Sequence, residues 1–185
     1  MKLKIAGCFV TVSPAFCCII TLLLLVDQTG TMGSVLLSAL IHEIGHCVCL
    51  GWFGCLPDSI RFSPFEINMV CLRSPARWYQ RLMVALGGIV ANLMCACFSK
   101  GEWRLIHLFF AVFNSLPIFS MDGYQALSLC LSSVSWGEKL LRQISVVTLI
   151  LLGASGVWYW LCFRNPLLVL FVLYMFLLQI RAKSG

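Results

Sequence analysis

The sequence reads Leu40-Ile41-His42-Glu43-Ile44-Gly45-His46, an H-E-x-x-H pattern inside an apolar run. In a helix, residues four apart stand on one face, one turn apart. Two imidazoles placed that way can share one zinc ion. Glu43 lies beside them and can take a proton from water activated at the metal. Catalytic zinc usually takes three protein ligands and keeps one position open, so a third ligand must come from elsewhere. The acidic residues are few: Asp27, Glu43, Asp58, Glu66, Glu102, Asp122 and Glu138. Asp122 is the best candidate, because the apolar stretch before it is predicted to run inward and end at the depth of His42 and His46. His107 competes, but it precedes Asp122 by 15 residues, or about 22 Å along a continuous helix. The two cannot hold one ion on such a helix, and His107 reads as an interfacial or packing histidine.

Ionisable residues in a membrane span cost several kcal/mol and default to a functional reading, which a plain polar packing cluster does not satisfy as well. Two further segments stand out. In Asn114-Ser115-Leu116-Pro117-Ile118-Phe119-Ser120-Met121-Asp122-Gly123, Pro117 removes a backbone donor and Gly123 permits unusual dihedrals. An unwound stretch there can present Asp122 and offer backbone groups to an extended substrate. In Gly87-Gly88-Ile89-Val90-Ala91-Asn92, the small residues allow close helix approach. Asn92 is an amide in an apolar run, able to bind substrate backbone, help hold an oxyanion or bridge two helices.

The rest of the chain must hold these groups in a membrane. Of 185 residues, 61% are hydrophobic and only 11% charged, against about half and a quarter in soluble domains. The expected fold is an all-α integral membrane protein with six transmembrane helices, at about 6–26, 32–52, 79–98, 103–121, 143–163 and 166–181. A β-hairpin-like or irregular segment is expected between the second and third, centred on Pro64 and Phe65 and at 60–72 a possible edge for strand addition. One domain spans 1–185. With the N-terminus cytoplasmic, the six-span topology puts ten Lys and Arg on the cytoplasmic side and leaves Lys100, Arg104 and Arg164 opposite. That bias predicts both termini in the cytoplasm. The net charge of +6 therefore reports orientation; no basic run interleaves with aromatics, which excludes nucleic acid as a partner. The 11 cysteines form no C-x-x-C pair and sit mostly in apolar stretches, as filler rather than a disulfide framework.

Taken together, the H-E-x-x-H helix, the Gly88–Asn92 element and the N-x-x-P…D-G segment resemble the site-2 protease family of intramembrane zinc metalloproteases. The match covers about 33–125. It implies a zinc cofactor held by His42, His46 and Asp122, Glu43 as the catalytic residue, and Asn92, Asn114 and Pro117 as substrate contacts. It also implies peptide-bond hydrolysis of a membrane-embedded or membrane-tethered protein near the cytoplasmic face. Ile89 stands where many members have proline, and Phe119 and Ser120 replace the prolines before the aspartate. The short N-terminus, six spans and cytoplasmic orientation most resemble the bacterial sporulation-type branch, which processes pro-sigma factors in the cell membrane, with a regulatory membrane protein as a partner. Neither a PDZ domain nor a nucleotide-sensing domain is expected in the chain. The competing readings are a non-proteolytic protein that binds or regulates a partner through the site, and a zinc or proton transporter.

Overall fold

The computed structural model describes residues 2–5, 8–63, 66–71, 73–164 and 166–181. Among these the chain forms four strands and seven helices: β1 (Lys2–Ile5), β2 (Cys8–Val12), α1 (Pro14–Val26), α2 (Thr31–Trp52), β3 (Ser59–Ser63), β4 (Glu66–Val70), α3 (Trp78–Phe98), α4 (Gly101–Asn114), α5 (Asp122–Leu131), α6 (Gly137–Phe163) and α7 (Leu167–Arg181). Two compact units result, Met1–Ala111 and Val112–Gly185.

The expected six-helix span count is not met. Among the described residues, three helices, α2, α3 and α6, are long and apolar enough to cross a membrane. They make the chain a multi-pass membrane protein. The other predicted spans fail for local reasons. The first begins as strand: Phe9, Val10, Thr11 and Val12 are aromatic or β-branched and pair with neighbours. Its helix starts only at Pro14, which occupies the first turn, while the Ser13 hydroxyl accepts from Phe16 N–H at 3.1 Å. The remaining 13 residues cover about 20 Å, short of a hydrocarbon core of about 30 Å. The fourth stops at Asn114, three residues before Pro117, and leaves a helix of 14 residues. The sixth is a helix of 15 residues. A further helix, α5, lies between the predicted fourth and fifth spans.

The helices dominate the fold, and the strands add one sheet to them. In the first unit the strands form one sheet of order β1-β2-β3-β4, antiparallel at both outer pairs and parallel between β2 and β3. The segment between α2 and α3 is thus half of a four-stranded sheet whose other half precedes α1. Pro64 and Phe65 lie outside the described residues. Phe9 N–H donates to the Asp58 carbonyl and Ser13 N–H to the Phe62 carbonyl, fastening both ends of the parallel pair.

α2 and α3 cross closely at two glycines. A Cβ on Gly45 would strike the Gly87 carbonyl, and one on Gly87 would lie 2.7 Å from the Gly45 carbonyl oxygen. Both obstacles are backbone, so neither can swing aside. α2 begins beside an anchored carboxylate. Asp27 accepts from Met32 N–H at 2.7 Å, from the Thr29 hydroxyl at 2.8 Å and from Thr29 N–H at 3.1 Å. These donors, the Met32 amide foremost, hold the carboxyl below its ordinary range, and the carboxylate suits the positive end of the helix.

In the second unit, Ile118, Leu149, Val172 and Met175 form a buried cluster. Ser145, on α6, accepts from Phe119 N–H at 3.0 Å and donates to the Gln179 amide oxygen at 3.2 Å. That fixes the stretch leading to α5.

Two outcomes test this account. Gly87→Ala should destabilise the detergent-solubilised protein by about 1–3 kcal/mol, the usual cost of overpacking, seen as a lower unfolding midpoint. The depressed pKa of Asp27 means its contribution is present above the ordinary carboxylate value and is lost as pH falls through the folded value. Asp27→Asn should therefore melt earlier than wild type at pH 7, with the gap closing in acid; a gap that is the same at both pH values would contradict the charge's role.

Candidate metal centre

α2 carries both histidines as the i, i+4 spacing requires. His42 is buried and His46 half-buried, and their Nε2 atoms lie 3.2 Å apart. Metal–nitrogen bonds of 2.0–2.1 Å in a tetrahedron set such an edge at about 3.3 Å. The pair is therefore already spaced as two ligands of one ion. His46 Nδ1–H donates to the Val84 carbonyl at 2.7 Å. Because a carbonyl only accepts, the ring proton is on Nδ1 and the Nε2 lone pair faces its partner.

α3 supplies an opening next to these nitrogens. A Cβ on Gly88 would lie 2.5 Å from His46 Nε2 and 2.6 Å from His42 Nε2. The missing side chain leaves space against the two ligand atoms. Glu43 is half-buried on the same helix turn, between the histidines in sequence.

Asp122 is the first residue of α5, where a carboxylate is favoured by the helix N-terminus. It is reached through Ser120, whose φ of 79° is unusual for a residue other than glycine. Gly123 follows, and a Cβ there would strike the Ser115 carbonyl. Only glycine lets the non-helical stretch 115–121 fold over the start of α5. One ligand atom from each of His42, His46 and Asp122 lies within 4.8 Å of the others, a group able to hold a metal ion. Two imidazoles and one carboxylate form a set that suits zinc.

The expected substrate contacts are placed as follows. Asn114 ends α4 and Pro117 lies in the non-helical stretch, both half-buried. Asn92 is 0% exposed, with its amide engaged on both sides. Its Nδ2 is 3.2 Å from His42 Nδ1, and its Oδ1 is 3.0 Å from His107 Nδ1 and 3.4 Å from the Ser38 hydroxyl. His107 is 2% exposed and its Nδ1 also lies 2.9 Å from the Ser38 hydroxyl.

Ser38 escapes the sequence reading, and His107, which reads as an interfacial or packing histidine, is a buried one with polar partners; both carry a signal. Ser38 precedes His42 by one helical turn on the same face. Asn92 lies six residues before the end of α3 at Phe98, and His107 six residues after the start of α4 at Gly101. Residues equidistant from a tight helix connection come to equal depth. His107 finds its partners in Asn92 and Ser38.

No protein-family model matches the sequence, and no curated protein matches it. Among solved structures, the fold is similar to that of the site-2 protease from Methanocaldococcus jannaschii, with a TM-score of 0.63 and 20% sequence identity over 98% of this chain and 94% of the other. The likeness extends across essentially both chains and is one of fold.

Gly88→Ala should reduce bound divalent metal in the purified full chain from about one equivalent towards none, read by elemental analysis. Unchanged metal content in a folded variant would show that the gap beside the histidines serves packing alone.

Proposed function

We propose that this protein is an intramembrane zinc metalloprotease that hydrolyses a peptide bond in a membrane-embedded or membrane-tethered protein. The observation that carries the reading is the grouping of His42, His46 and Asp122, with Glu43 on the same helix, in a fold similar to a site-2 protease. Zinc held by those three residues would polarise a carbonyl and acidify water. Glu43 takes the proton from the attacking water and passes it to the leaving amine. Asn114 and Pro117, at and after the end of α4, bind the substrate backbone where it is extended, since a helical substrate hides its peptide bonds.

The basic residues support a cytoplasmic-side site. Arg61, Arg73, Arg77 and Arg81 follow the His46 end of α2, whereas the connection 27–30 at its other end has none. The resemblance to the bacterial sporulation-type branch extends the setting to a bacterial cell membrane and the substrate class to precursors of that type.

Glu43→Gln should lower cleavage of a co-expressed membrane-tethered substrate from the same genome by about 10²–10⁴-fold while zinc is retained. Asp122→Ala should lose both zinc and cleavage. Normal turnover by Glu43→Gln would remove the proposal.

A further inference from the structure

The buried chain of polar groups behind His42 has a consequence for the metal site, and it rests on the zinc reading above. His42 must offer Nε2 as a lone pair, so its single ring proton must sit on Nδ1. The atom facing Nδ1 belongs to the Asn92 amide, 3.2 Å away. With Nδ2 turned to His42, the amide donates, Nδ1 must accept, and the ring proton is forced onto Nε2. A half-turn of the amide about its Cβ–Cγ bond places oxygen and nitrogen in each other's positions. The oxygen then accepts from His42 Nδ1–H. The amide nitrogen then donates to His107 Nδ1, at the position 3.0 Å away, with the Ser38 hydroxyl beside it. Each orientation satisfies every partner, and the neutral rings keep one proton each. Only the second leaves His42 able to bind metal.

We infer that Asn92 is a positioning residue that selects the His42 tautomer, and that Ser38 and His107 receive its amide nitrogen in the metal-competent orientation. The geometry argues for this role over a substrate contact: Asn92 is fully buried and both ends of its amide are committed. His46 obtains the same result from the Val84 carbonyl, so the two ligands are oriented by different devices. A backbone carbonyl can only accept. An amide can do either, and its orientation depends on what lies behind it. That makes His107 a determinant of metal affinity although it does not touch the ligand pair.

The test uses the full chain in detergent with zinc as the probe. In zinc-loaded wild type, through-hydrogen-bond nitrogen–nitrogen coupling should join Asn92 Nδ2 to His107 Nδ1. Coupling of Asn92 Nδ2 to His42 Nδ1 instead would overturn the inference without any variant. By chelator competition, Asn92→Leu should bind zinc roughly 10–100-fold more weakly, with His42 shifted to its Nε2–H tautomer. Asn92→Asp, which can only accept, should stay within a few-fold of wild type. Zinc binding by wild type with equal affinity in folded Asn92→Leu would sink this inference and leave the metal site standing. Failure of wild type to bind zinc would remove both.

Discussion

Two helices meet where neither has a side chain. At Gly45 and Gly87 the backbones of α2 and α3 approach until each fills the place a methyl group would take. In a bilayer, helices gain little from burying apolar surface against each other, so close packing of this kind carries association. Gly45 also lies between His42 and His46. The crossing therefore brings α3 against the ligand pair, which allows Val84 to accept from His46 and Asn92 to reach His42. Gly88, next along α3, keeps the space beside both Nε2 atoms open. Packing and the geometry of the candidate metal site depend on the same approach distance.

Asp122 is delivered by different means. Its neighbourhood relies on a broken helix, a serine at φ 79° and a glycine folded under the Ser115 carbonyl. Ser145 holds Phe119 from behind with a hydrogen bond. Strained backbone of this kind persists only where its surroundings over-determine it. The histidines come from a regular helix that needs no such support.

This contrast explains what the sequence makes legible. The histidine pair and its glutamate are readable because helical period alone sets their geometry. Asp122 is readable because few carboxylates compete for the role. The span count fails because a hydropathy window cannot separate β2 from α1, nor register that Pro117 leaves α4 at 14 residues. The parallel pairing of β2 with β3 is invisible for another reason: the partners are separated in sequence by two helices. Ser38 and His107 become readable only when positions are compared across a helix turn and across the α3–α4 connection.

That parallel pairing also constrains how the molecule is built. β2 and β3 belong to one sheet, yet α1 and α2 lie between them. The chain must leave the sheet through α1 and come back through α2, so the early hairpin and the later one meet at one end of these helices. During synthesis the first hairpin forms early, with one unpaired edge awaiting β3. Completing the sheet then closes a long loop that contains both helices, an entropic step that local pairing does not share. Assembly of the sheet is thereby a checkpoint on α2: a copy of the chain whose α2 runs the wrong way carries β3 away from β2, with the first hairpin's edge left open.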